Sequence, residues 1–282
     1  LGRNVTARIA ASADPAALGL EQIMTIREEE DYKIMERLRR RIAAIVADPD
    51  TAETLKPYYR FMCKRPCSSE EYLPAFNRPN VTLVDVSAAK GVDRLTGRGI
   101  VANGVEYEVD CVIFASGFEI STEISRRYAV ETIEGRNGLS LFDHWRDNYQ
   151  TLHGITSRGF PNQFFTGFIQ GGVSANTTAM FEQQARHIAY IIGEAQQRGA
   201  TTVEPSSAAQ DDWVARIREL SIDNSAFELS CTPGYYNNEG RGGRDGNASF
   251  LGDFYSPGFY AFDELLADWR ARGDLDGLEL RS

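Results

Sequence analysis

Residues Asp110 to Glu119 read DCVIFASGFE. An apolar run with β-branched and aromatic members is stopped by small residues, a glycine, a phenylalanine and an acid. The pattern predicts a buried strand over 111–116 that empties into a tight turn, where backbone passes close to a ligand or to another segment. In open α/β sheets nucleotides bind at the carboxyl ends of parallel strands. A plain strand-to-loop turn in a core reads the same way from this stretch alone.

Upstream, RPNVTLVDV (Arg78–Val86) predicts a strand after Pro79, and GRGIVANGVEYEVD (Gly97–Asp110) short strands punctuated by turns. Between Leu20 and Lys56 helix formers dominate, with Ile34, Leu38, Ile42 and Ile45 at helical spacing; ADPDTAE (Ala47–Glu53) supplies a stop and a fresh N-cap. Downstream, a loop-rich region anchored by Trp145 and Tyr149 leads to an expected strand over Phe164–Phe168. Caps among Ser174–Thr178 then open an amphipathic helix that Gly199 ends. Two more helices are expected at AAQDDWVARIRELSID and AFDELLADWRARG. Alternating strands and helices place the chain in the α/β class, with residues 1–56 as a helical subdomain.

The chain has 282 residues, 42% apolar and 25% charged, enough for a substantial core and one or two domains. A formal net charge of -10 argues against a nucleic-acid or anionic-membrane surface, since those partners call for clustered Lys and Arg. The basic run ERLRRR (Glu36–Arg41) follows the acidic REEED (Arg27–Asp31) and reads as a solvated helix face laced with i,i+4 pairs. Cys63, Cys67, Cys111 and Cys231 form no C-x-x-C pair, so reduced thiols in a cytoplasmic protein are expected. No stretch of about 18 apolar residues occurs, and the N-terminus lacks the short apolar core of a signal peptide. It also lacks an initiator methionine, so a fragment, a processed product or part of something longer is expected.

Two further stretches carry chemistry. FMCKRPC (Phe61–Cys67) sets Lys64 beside Arg65 before Pro66. In an extended segment neighbours point to opposite sides, so each cation can meet a different anion: a forked guanidinium and a point charge suited to a phosphate. As surface charges the two need no partner at all. GFIQGGVSANTT (Gly167–Thr178) is a glycine loop that feeds a helix, whose N-terminus favours an anionic ligand atom. Without a Lys-Ser/Thr ending it is no Walker loop, and a merely structural turn remains open. GYYNNEG (Gly234–Gly240), with Tyr236, either lines a pocket or caps a core. His144, His153 and His187 are scattered and no Cys/His ligand pattern appears, so no metal site is expected; no G-x-S-x-G elbow occurs either.

Seven segments in order, KRPC, YLPAFNRPNVTLVDV, DCVIFASGFE, GFPNQFF, EQQARHIAYI, CTPGYYNNEG and WRARGDLDGLEL, together resemble the C-terminal half of a type I Baeyer-Villiger monooxygenase, within the flavin-containing monooxygenase superfamily. They cover roughly Asp31 to Leu280. The resemblance implies an α/β flavoprotein with two dinucleotide-binding domains, Rossmann-like FAD and NADP domains with a helical insert, whose N-terminal half is absent here. Residues 57–117 would be the C-terminal part of the NADPH-binding domain and 118–282 that of the FAD-binding domain. Ser116, Gly117 and Phe118 would lie at the cofactor junction, where the family more often has Thr at 116 and Asp at 119. Arg65 would be the catalytic arginine and Lys64 would hold the 2'-phosphate of NADPH. Asn176 and Thr177 would approach the pyrimidine edge of the flavin, with Val173, Ser174 and Tyr236 facing the substrate.

The implied reaction is insertion of one oxygen atom of O2 into a ketone, giving an ester or lactone through a flavin C4a-peroxide, with FAD and NADPH as cofactors. No G-x-G-x-x-G occurs in this sequence, so the missing N-terminal half, in the same polypeptide or a partner chain, is expected to be needed for FAD binding. Two alternatives stand beside this: a related flavin monooxygenase acting on nitrogen or sulfur, and a non-catalytic fragment or binding module.

Overall fold

The structure, a computed structural model, describes residues 1–117, 124–221, 225–240 and 254–282. The chain divides into two compact units, Leu1–Gly117 and Phe118–Ser282.

The first unit opens with α1 (Gly2–Ala10), which the sequence patterning does not announce. Its polar side chains reach a buried carboxylate on the next helix. Asn4 Nδ2 donates to Glu30 at 3.2 Å and Arg8 pairs with both Glu29 and Glu30, while Lys33 holds Glu30 from below and lowers its pKa. Helix α2 (Leu20–Ile45) buries Ile34 and Ile42 on the expected stripe, with Met35 beside them. On its wet face Glu36 pairs with Arg39 and Arg40, as the charge pattern predicts. Helix α3 (Pro49–Leu55) begins where the sequence places a new start: the Asp48 carboxylate accepts the Thr51 N–H at 2.8 Å, and Pro49 occupies the first turn. With α4 (Tyr72–Ala75) these helices enclose a cluster of Ile42, Val46 and Ala52, against which Leu55, Leu73 and Phe76 pack. The helical block 1–56 thus shares a core with residues beyond it.

A three-stranded antiparallel sheet follows: β1 (Arg94–Leu95), β2 (Gly99–Ala102) and β3 (Val105–Glu108), in spatial order β1-β2-β3. Asn103 and Gly104 both take positive φ, 51° and 76°, at the two-residue turn of the β2–β3 hairpin, the conformation for which Asn-Gly is suited. The central strand buries Val101 and Ala102.

Two expected strands in this unit do not form. Residues 81–86 and 111–116 carry no ladder among the described residues, and Ile113 and Phe114 are 85% and 74% exposed rather than buried. An apolar run becomes a buried strand only when neighbours pair with its backbone and cover its faces, and no described segment does so. Gly117 takes φ +102°, and the rest of the turn expected after it, from Phe118, lies outside the described residues.

In the second unit α5 (Ile124–Tyr128) and α6 (Leu141–His144) precede the long α7 (Thr177–Gln197). Next come β4 (Thr202–Pro205), α8 (Ser207–Leu220), α9 (Ser225–Ser230), α10 (Phe259–Arg272) and β5 (Leu278–Arg281). Helices α7, α8 and α10 lie where their periodicity predicts, and α10 ends on Gly273 in the left-handed conformation. Strands β4 and β5 pair antiparallel from Thr202↔Arg281 to Pro205↔Leu278. The strand expected over Phe164–Phe168 is absent; Phe165 makes one backbone bond, to the Ile155 carbonyl at 2.9 Å, and is buried among Trp145, Tyr149 and Phe160. Its apolar content serves side-chain packing, not a ladder.

All described strands are antiparallel, so the parallel α/β layers expected from the sequence do not appear within the described residues. Cys67 and Cys111 are free and exposed. No helix among the described residues is long and apolar enough to cross a membrane.

Candidate functional site

In the first unit the candidate cations sit on a loop tied to α2. The Asp31 carboxylate, 1% exposed, accepts the Phe61 N–H at 2.8 Å and the Arg60 Nε–H at 3.3 Å. Met62 takes φ +72°, which reverses the chain immediately after that anchor. Lys64 is half-buried with its ammonium 5.8 Å from the centre of the Tyr59 ring. Arg65 is exposed, and its guanidinium makes no ion pair among the described residues. A fixed loop that ends in an uncommitted guanidinium can accept an external anion without first breaking an internal bridge. Ser116 and Gly117, at the end of the same unit, are exposed; Phe118 lies outside the described residues.

In the second unit the glycine segment is held on both flanks. Gly171 and Gly172 are buried. The Gly171 carbonyl accepts the Tyr255 N–H at 3.0 Å, and a Cβ placed on Gly172 would lie 2.6 Å from Phe262 Cβ and 3.0 Å from Phe259 Cα. Only glycine lets this backbone lie so close to the start of α10. Val173 and Ser174 are half-buried. The Ser174 hydroxyl accepts the Asn176 N–H at 3.1 Å, and the Asn176 side chain caps α7 by accepting the Ala179 N–H at 3.3 Å. Thr177 is the first helical residue. The first N–H groups of a helix have no intrahelical acceptor and carry partial positive charge, so a 21-residue helix starting here favours a negatively polarised ligand edge.

Tyr236 is half-buried, its ring 4.5 Å from that of Tyr235. The turn that carries it is knitted by Asn237, which accepts the N–H groups of Gly234 and Gly240 and donates to the Cys231 and Thr232 carbonyls.

Val173, Ser174, Asn176 and Thr177 thus share one segment, while Lys64 and Arg65 share another in the other unit. The residues that hold these segments, Asp31, Gln170, Thr151 and Asn237, escape sequence reasoning. They are single polar residues in apolar or turn contexts, and their partners lie 3 to 30 positions away. Among the described residues no group of three or more His, Cys, Asp or Glu could hold a metal ion.

No protein-family model matches the chain. Curated relatives do. A neopentalenolactone D synthase of Streptomyces avermitilis is 45% identical over 275 residues, covering 96% of this chain and 44% of the relative. A Baeyer-Villiger monooxygenase of Streptomyces coelicolor is 42% identical over 86% of this chain and 39% of its own length, and an FAD-binding monooxygenase of Hypomyces subiculosus 39% identical over 95% and 43%. Among solved structures, a polycyclic ketone monooxygenase from the fungus Thermothelomyces thermophila superposes with a TM-score of 0.80 at 34% identity, over 96% of this chain and 43% of that one. A steroid monooxygenase bound to NADP superposes with a TM-score of 0.68 at 26% identity, over 89% and 46%.

These neighbours define the class, an α/β flavoprotein monooxygenase fold. Within it the chain is similar to Baeyer-Villiger monooxygenases, and it matches a C-terminal-type portion of them. It spans less than half the length of the relatives it matches.

Proposed function

We propose that this chain supplies the catalytic arginine and the flavin-facing glycine segment of an FAD- and NADPH-dependent Baeyer-Villiger monooxygenase. The overall reaction converts a ketone, O2, NADPH and a proton to an ester or lactone, NADP+ and water. The observation that carries the reading is the buried Gly171–Gly172 segment running into the start of α7, in a chain whose relatives include named Baeyer-Villiger monooxygenases. Its closely packed backbone and its helix start fit the edge of a flat ring that gains negative charge on reduction.

FAD, when bound, supplies the electron transfer that activates O2. Asn176 and Thr177, at the positive end of α7, would hold the pyrimidine edge of the flavin, and Val173, Ser174 and Tyr236 would face the ketone. Arg65 holds negative charge that develops on oxygen, from a loop already fixed by Asp31, so little reorganisation is needed. Lys64 meets the 2'-phosphate of NADPH as a point charge. By the family resemblance Ser116, Gly117 and Phe118, the last outside the described residues, would mark the crossing from the 57–117 part of the NADPH-binding domain to the 118–282 part of the FAD-binding domain, with 1–56 a helical subdomain.

The remaining family length, in the same polypeptide or in a partner chain, supplies the phosphate-binding glycine motifs. It also covers the bare run at Ile113 and Phe114, whose exposure supports this arrangement. The test uses the full-length gene product with a ketone and a sulfide under 18O2. A bound flavin and an ester carrying one labelled oxygen are expected. Sulfoxide as the sole product would move the reading to heteroatom oxidation, and absence of flavin would leave a binding module.

A further inference from the structure

Gln170 enters the glycine segment in an unfavourable backbone conformation, φ +43°, which a side-chain-bearing residue rarely adopts. It is also 1% exposed, yet it is an amide rather than a hydrocarbon. Each of its polar side-chain atoms is engaged. Oε1 accepts the Thr151 hydroxyl at 2.6 Å and Nε2 donates to the Tyr149 carbonyl at 2.9 Å; its main-chain carbonyl accepts the Trp213 Nε1–H at 3.2 Å. The Thr151 hydroxyl, itself fully buried, accepts the Gly154 N–H at 3.2 Å. Gly154 takes φ +73°, and a Cβ on it would fall 2.0 Å from the Ile169 carbonyl. The turn 149–154 and the residue before the glycines are therefore locked face to face.

We infer that Gln170 is the positioning residue of the segment 171–177: its amide, clamped between Thr151 and Tyr149, fixes the direction in which the backbone leaves for α7. The inference rests on the flavin-facing role proposed for that segment. An apolar side chain would fill this space without demanding one orientation, because dispersion contacts are not directional. A buried amide tolerates only the conformation that satisfies both its ends. Downstream, Ser174 and Asn176 close the segment onto the helix, so the backbone between Gln170 and Asn176 is held at entry and exit.

Two substitutions separate orientation from mere packing. Gln170→Asn keeps an amide that tolerates the left-handed region but is one methylene too short to reach both partners. Thr151→Val is close to isosteric and removes the hydroxyl. In the full-length gene product, Gln170→Asn is expected to speed hydrogen exchange of amides 171–176 about tenfold while amides within α8 and α10 keep their protection. The FAD dissociation constant should rise about tenfold and hydrogen peroxide released per NADPH should increase, with Thr151→Val moving each in the same direction. Unchanged exchange over 171–176 in a folded Gln170→Asn protein would overturn the inference. If that variant does not fold, the same measurements on Thr151→Val decide it. A wild-type protein that binds no flavin would sink the proposed function alone, since the exchange comparison still decides whether Gln170 orients the segment.

Discussion

The buried carboxylate of Asp31 on α2 accepts the backbone N–H of Phe61, thirty positions along the chain, at 2.8 Å. With the Arg60 Nε–H on the same carboxylate at 3.3 Å, it ties the Lys64–Arg65 loop to α2. Asp31→Ala leaves the Phe61 N–H without its acceptor and should lower unfolding free energy by about 1–3 kcal/mol. Asp31→Asn, which retains an acceptor, should lose less. Urea denaturation midpoints of the two variants check the order.

Arg65→Ala tests the charge at the end of that loop. The side chain is exposed and makes no ion pair among the described residues, so stability should change by no more than about 0.5 kcal/mol. Loss of a preorganised group that stabilises developing charge typically costs about 2.7–4 kcal/mol of barrier. Ester formation should therefore fall at least about a hundredfold while reduction of the flavin by NADPH survives. Stopped-flow absorbance and product analysis separate the two steps, and near wild-type ester formation would refute the assignment.

Gly172→Ala should be poorly tolerated. The added Cβ meets Phe262 Cβ at 2.6 Å and backbone at Phe259, neither of which is a flexible side-chain end. Overpacking of this kind costs about 1–3 kcal/mol and displaces the glycine segment. Both the melting temperature and flavin content should drop together.

Acidification should destabilise the second unit through two buried imidazoles. His153 Nδ1 lies 3.2 Å from His187 Nε2, and the pair is walled by Trp213 and Trp269. Burial, with like charge nearby, lowers both pKa values well below the ordinary 6.5, so the folded protein holds both rings neutral. Unfolding frees them to bind protons at about pH 6.5. The unfolded state thus gains protons as pH falls below that value, and stability present above it is progressively lost. At pH 5 each ring should account for roughly 2 kcal/mol, whatever the depressed folded value, because that value lies far below pH 5. Unfolding free energies measured from pH 8 to pH 5 check the slope. His187→Gln should flatten it even if it lowers overall stability.

Much of the fold was legible because helices are local. The Ile34 and Ile42 stripe, the Asp48 cap and the Gly273 stop lie within a few residues of what they control, so spacing alone located α2, α3 and α10. The stretch Gly97–Asp110 likewise announced its short strands and turns. Strands were misread where the deciding partner is distant. Val112 to Phe114 and Phe164 to Phe168 have strand composition, but composition cannot supply a neighbour. Strands β4 and β5, paired across more than seventy residues, left no short-range trace.

For the candidate site the division is similar. The order of seven motifs, the Lys64–Arg65 pair and the glycines before α7 were readable in the amino-acid string, because they depend on residue type and local spacing. Only the tertiary structure showed that Asp31 anchors the cation loop and that Gln170, Thr151 and Tyr149 lock the entrance to the glycines. A buried polar side chain is stabilising only in the presence of its partner, and which groups meet is decided by the packing of segments far apart in the chain.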